Sequence, residues 1–198
     1  MSGRRLDDAF ALSGDRLARL RDELAVTATR EGLLDVACRT VDSPLGSLLL
    51  AATPAGVVRV AFDGEDHEAV LTELAGQVSP RILRAGSRLD TFAAELDEYF
   101  AGRRHHFDVT VDLQLAHGFR RDVLGHLREI PYGRTASYAA VAEAAGSPRA
   151  VRAVGTACAT NPVPLVVPCH RVVRSDGSSG NYRGGPDAKR LLLALEAA

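Results

Sequence analysis

The sequence predicts an α+β chain of two units, a strand-rich one followed by a helical one that ends in a cysteine motif. Three observations carry this. Strand-type runs punctuated by turn signals gather in residues 35–114. Short amphipathic runs separated by Gly and Pro begin near residue 118. Charge divides along the same line: residues 1–114 hold 13 Arg against 19 Asp and Glu, a balance of −6, whereas residues 115–198 hold 11 Lys and Arg against 6 acidic residues, or +5. Basic charge confined to the half with the cysteine motif fits a surface that binds a polyanion.

Length and composition set the outer bounds. At 198 residues the chain can bury two small cores, and 46% hydrophobic with 25% charged residues excludes disorder. No apolar run approaches the ~20 residues of a spanning helix. The opening "MSGRRLDDAF" lacks the apolar core of a secretory signal, so a cytoplasmic protein is expected. Cys38, Cys158 and Cys169 are odd in number, widely spaced and form no CxxC pair. Free thiols in a reducing compartment follow, rather than a disulfide framework or a cysteine-rich zinc site.

Residues 1–31 read as an amphipathic helix, with Leu17, Leu20 and Leu24 three and four apart. It is expected to pack this leucine stripe on the neighbouring domain. The expected organisation is an N-terminal extension over 1–34, a first domain over 35–114 and a second over 115–198. "DVACRTVDSPLGSLLLAAT" and "GVVRVAFDG" carry β-branched residues broken by Ser-Pro, Thr-Pro and Asp-Gly, which predicts a meander of strands. A helix follows over about 87–100, where Leu89, Phe92, Ala93, Leu96 and Phe100 share a face, and "HHFDVTVDL" returns to strand alternation with His105-His106 on a solvated edge.

"FRRDVLGHLREI" is an amphipathic helix stopped by Pro131 and Gly133. Thr135 or Ser137 can cap the next helix, "YAAVAEAAG". Ser147-Pro148 is suited to open the one after, "RAVRAVGTACAT", which would carry Arg149 and Arg152. Two such helices joined by a short glycine turn predict a helix-turn-helix. Beyond them, "PVPLVVPCHRVV" has prolines at 162, 164 and 168, predicting an extended, stiff approach that presets Cys169. A thiol reacts as its thiolate, and His170 and Arg171 follow directly, His170 acting on the thiol itself or through a water. Cys38 and Cys158 sit in plain apolar patterns and read as buried structural residues.

"PCHRVV", preceded by "RAVGTACATNPVP" and followed by "GNYRGG" and "LLLALE", resembles the O6-alkylguanine-DNA alkyltransferases over roughly residues 119–196. The resemblance implies a ribonuclease-H-like first domain and a winged helix-turn-helix in the second. It implies repair of O6-alkylguanine, and to a lesser extent alkylated thymine, by irreversible transfer of the alkyl group to Cys169. His170 and Glu196 are implied to complete a glutamate-histidine-water-cysteine relay, and Asn161 to tie the helix-turn-helix to the active-site turn. Because base chemistry inside a duplex is sterically blocked, the nucleotide must be flipped out. Arg152 would fill the gap, Tyr138 would rotate the phosphate and hydrogen-bond the leaving guanine, and Arg149, Ala153, Gly155 and Ala157 would lie against DNA. Pro164, Val172, Tyr182, Arg183 and Gly184 are implied to form the substrate pocket; Pro186, in "GGPDAKR", departs from the family pattern and is expected to stiffen that loop. The implied partner is duplex DNA bearing O6-alkylguanine, met by a monomer, with clustering along DNA left open; neither cofactor nor metal is implied. The same helices and cysteine leave two alternatives, a thiol hydrolase and a non-catalytic lesion-binding protein or regulator.

Overall fold

A computed structural model describes residues 14–197. The predicted helix is present as α1 (Gly14–Arg30); the first 13 residues of the predicted segment lie outside the described residues. The face it buries adjoins the expected leucine stripe and leaves Leu20 and Leu24 outside it. Ala25 and Ala28 pack with Leu34, Ala37 and Ala85, while Leu20 and Leu24 remain 45% and 55% exposed. The small alanines let α1 lie close against β4, which bulky leucines would prevent.

The first domain is a four-stranded sheet of order β3-β2-β1-β4, made of β1 (Val36–Val41), β2 (Leu48–Thr53), β3 (Gly56–Ala61) and β4 (Ile82–Arg84). β1, β2 and β3 form the predicted antiparallel meander, and β4 runs parallel to β1. Every β2 residue is buried because both sheet faces are covered. Leu49 and Ala51 face a cluster that includes Val70 and Leu74 of α2 (His67–Gln77), whereas Leu48, Leu50 and Ala52 face the main core. α2 and β4 supply the crossover that the sequence reading did not resolve.

The 3₁₀ turn Gly86–Leu89 leads into α3 (Asp90–Phe100), which lays Phe92, Leu96 and Tyr99 on the main core. The strand expected over 105–113 does not form. Only Val57 bridges to Val111, with Val57 N–H donating to Thr110 O and Asp112 N–H donating to Val57 O. His105 is exposed but stacks on Tyr132, with ring centroids 4.1 Å apart, and His106 is exposed, so the solvated strand edge is a solvated bend.

The second domain packs α4 (Phe119–Leu127), α5 (Tyr138–Ala144) and α6 (Val151–Ala159) around Val123, Leu124, Leu127, Val141, Ala142, Val154 and Ala157. Ser137 caps α5 as predicted, its hydroxyl accepting from Ala140 N–H. Ser147 does not cap α6. Ser147–Ala150 is a turn closed by Ala150 N–H on Ser147 O, so the helix starts two residues past Arg149 and Arg149 lies in the turn. Two short parallel strands, β5 (Ala136–Ser137) and β6 (Val172–Val173), with a bridge from Val173 to Ser179, form the wing. Helix α7 (Gly185–Glu196) closes the chain, and Pro186 sits in its first turn, where a missing N–H costs nothing, rather than in the loop. Among the described residues no helix is long and apolar enough to cross a membrane, and no three His, Cys, Asp or Glu side chains gather as a metal site.

Candidate functional site

Cys169 opens a 3₁₀ turn, Cys169–Arg171, and is 1% exposed. The approach is not extended as expected. Residues 161–168 form successive turns, with Val167 N–H on Val163 O and Cys169 N–H on Val167 O. Asn161 holds them from inside: its Oδ1 accepts from Val163 N–H (3.0 Å), and its Nδ2 donates to Val167 O (2.8 Å) and to Cys169 Sγ (3.2 Å). Leu165 adopts φ 74°, a left-handed conformation that costs a non-glycine residue ~1–2 kcal/mol. The prolines and the asparagine together shape a compact turn that aims the thiol.

The 3₁₀ geometry also decides where the next two side chains go. His170 Nε2 lies 2.8 Å from Glu196 Oε1, and Arg171 donates from Nε to Glu196 Oε2 (2.8 Å) and from Nη2 to Oε1 (2.9 Å). Tyr99, reaching in from the first domain, donates to the same Oε1 at 2.7 Å, and Gly133 N–H donates to Oε2 at 3.3 Å. Gly133 is at φ 69°, and a Cβ there would stand 2.8 Å from Glu196 O, so this approach requires glycine. Burial raises the Glu196 carboxyl pKa, but hydrogen bonds from His170, Arg171 and Tyr99 outweigh it and bring the pKa to about 2. A carboxylate only accepts, so His170 carries its hydrogen on Nε2 and its lone pair on Nδ1. That Nδ1 is buried with no protein partner. Burial pushes the His170 pKa down against the pull of Glu196, which keeps the ring neutral.

The thiol itself is pushed up to about 11 by burial, with the Asn161 hydrogen bond and the Lys189 charge acting in the opposite sense. Lys189, fully buried on α7, donates to Val172 O at 2.6 Å and reaches Gly180 O at 3.5 Å, so it also ties α7 to the wing. Arg171, whose charge was expected to serve the thiolate, is instead committed to Glu196 and to Ile130 O.

Outside the buried cluster, α6 forms one wall of a groove of about 470 Å³ lined by Tyr138, Arg152, Gly155, Thr156, Arg174 and Asn181, among others. Tyr138 lies so close to the wing that a Cβ on Gly180 would stand within 3 Å of its ring and hydroxyl.

Two family profiles match this chain. The ribonuclease-like domain of 6-O-methylguanine DNA methyltransferase matches residues 36–113, and the DNA binding domain of 6-O-methylguanine DNA methyltransferase matches residues 118–198. The methylated-DNA–protein-cysteine methyltransferase of Mycolicibacterium paratuberculosis is 42% identical over 158 residues, covering 80% of this chain and 90% of that protein. The chain belongs to the methylated-DNA–protein-cysteine methyltransferase family. The inducible methyltransferase of Bacillus subtilis is 40% identical over 74% of this chain and 82% of its own length. A Mycobacterium tuberculosis OGT solved in complex with DNA superposes with TM-score 0.71 at 36% identity, covering 81% of this chain and 92% of that one.

Within this methyltransferase fold the structure brings together Cys169, His170, Asn161 and Glu196. Tyr138, Arg152 and Gly155 share the groove. Ala153 is exposed but lies outside the groove lining, and Ala157 is buried in the core, so neither forms the groove wall. Of the expected pocket residues, Pro164 and Val172 are buried, and Tyr182 stands edge-on to His170 and to Phe62. Arg183 and Gly184 face the first domain: Arg183 Nε donates to Glu65 Oε2 at 2.7 Å, and Gly184 packs on the Phe62 ring. Tyr99 and Lys189 were missed. Tyr99 had no local signal, since its partner is 97 residues away; Lys189 had one, a lysine one helical turn from the buried position Leu192.

Proposed function

We propose that the chain repairs DNA by direct reversal, with Cys169 taking the alkyl group from O6-alkylguanine in duplex DNA and, less readily, from O4-alkylthymine. The observation that carries this is the buried thiol held by Asn161, beside a neutral histidine whose Nε2 is fixed by Glu196 and whose Nδ1 is free to accept. Glu196 is anionic and pinned, so it orients His170 and stabilises the imidazolium. Through a water, Nδ1 takes the thiol proton. The sulfur then attacks the alkyl carbon; the S–C bond forms as the C–O bond breaks, and the electron pair leaves on the guanine oxygen. Tyr138 hydrogen-bonds the departing base, Arg152 holds its place in the stack, and Lys189 balances charge near the sulfur. Because the thiol is 1% exposed, part of its cover moves to admit the flipped base.

A thioether is not hydrolysed under these conditions, so the chain reacts once; because one chain supplies the whole buried site, it acts as a monomer. Mixed with excess duplex containing O6-methylguanine, the protein should gain one methyl group per chain by intact mass, on the peptide that contains Cys169. Continued turnover favours a thiol hydrolase, an unlabelled chain favours a non-catalytic lesion binder, and a label on Cys38 or Cys158 reassigns the acceptor.

Proton transfer inside the site makes a second prediction. With a thiol pKa of about 11, removal of the proton by bulk hydroxide would make the rate climb about tenfold per pH unit across neutral pH. If His170, already neutral, takes the proton within the closed site, single-turnover rates should change by less than about twofold from pH 7 to 9. A tenfold rise per unit would reject the relay.

A further inference from the structure

We propose that the cavity at the junction of the two domains binds a phosphate-class oxyanion. The cavity, about 310 Å³, is lined by Arg59, Glu73 and Gln77 from the first domain and by Arg120, Thr160 and Arg183 from the second. That volume far exceeds the ~10–15 Å³ needed for one water. The three guanidiniums come from β3, α4 and the loop before α7, so only the folded junction assembles them.

Their counter-charges fall short. Arg59, buried within the sheet, and Arg183 both donate to a single oxygen of Glu65. Glu73 accepts from Gln77 at 3.0 Å. Arg120 donates Nη2 to Leu115 O at 2.7 Å, but its Nε is cut off from solvent without a partner, and no ion pair among the described residues includes it. Three cations thus face two carboxylates around the space. An anion with several acceptor oxygens supplies what is missing, and guanidinium forks match phosphate geometry. Water alone would fill the space and leave the charge unbalanced.

The same chemistry has two sources. Thr160 is the C-cap of α6, the helix that walls the groove, so the oxyanion is either free phosphate or a backbone phosphate of bound DNA. The melting temperature of the full chain without DNA, followed against inorganic phosphate at ionic strength held constant with chloride, tests the first. A saturating rise should appear, be lost in Arg120→Met, and persist in Arg152→Ala, which alters only the groove. Should Arg120→Met fold poorly, Gln77→Glu, which adds negative charge to the lining, should reduce the same rise. Duplex titrations at several salt concentrations test the second: Arg120→Met should lower the slope of log K against log salt by about one if a DNA phosphate fills the site. Either response supports the proposal. An equal phosphate effect in both proteins is the general action of an excluded anion; together with equal salt slopes it overturns the proposal. Neither arm depends on alkyl transfer, so failure here leaves the role of Cys169 standing.

Discussion

Glu196→Gln should lower folding stability by about 3–5 kcal/mol and slow alkyl transfer by roughly 10²- to 10⁴-fold. Glu196 is the common acceptor for Arg171, His170, Tyr99 and Gly133, and its side chain is almost wholly buried. An amide of the same shape removes the charge that pairs with the Arg171 guanidinium. It also turns two N–H donors toward groups that are themselves donors, so the loss exceeds that of one hydrogen bond. The kinetic loss has a separate origin: without a carboxylate on Nε2, nothing fixes the His170 tautomer that leaves Nδ1 as the acceptor. Chemical denaturation and single-turnover transfer from a free alkylated base, measured where the variant remains folded, separate the two effects. A midpoint unchanged within error and a rate within threefold of the parent would remove Glu196 from both roles.

Acid should reproduce the thermodynamic half of that result. The folded-state pKa of Glu196 is depressed from 4.5 to about 2, so its contribution is fully present above pH 4.5 and is lost as pH falls toward 2. A shift of that size is worth roughly 3 kcal/mol. Glu196→Gln, having no carboxyl to titrate, should lose less stability than the parent over this window.

Much of this arrangement was legible because it is local. The Pro-Cys-His-Arg run, the Ser137 cap and the β1-β2-β3 meander each depend on residues a few positions apart, where turn chemistry and periodicity speak directly. The rest depends on contacts made across the fold. Whether leucine or alanine on α1 would face inward was decided by how closely the helix approaches β4, and periodicity alone allows both faces. The run 105–113 has strand alternation but too few backbone partners at its position, so only the bridge at Val111 survives. Arg171 looked like the cation for the thiolate because it is two residues away; the 3₁₀ turn directs it to Glu196, and Lys189, 20 positions downstream, takes that place. Tyr99 shows the limit most plainly, since a first-domain tyrosine enters the second domain's buried cluster only once both have folded.

Arg152→Ala should slow repair of duplex DNA at least tenfold while leaving transfer from free O6-benzylguanine near the parent rate. Extruding a base costs a few kcal/mol in stacking and pairing. A planar guanidinium inserted in the gap restores part of this by stacking and by hydrogen-bonding the orphaned base. Arg152 is placed for that role: it is exposed on α6 in the groove that also holds Tyr138, and it takes no part in the buried cluster around Cys169. Each ~1.4 kcal/mol withdrawn from the flipped state costs a factor of ten in rate, so a loss of 1.5–3 kcal/mol gives roughly tenfold to a hundredfold. The free base has no stack to leave and should not register the change. Single-turnover rates on both substrates, with the melting temperature confirming the fold, make the comparison. Equal losses on duplex and free base would show that Arg152 supports the thiol or the fold, and the flipping role would be rejected.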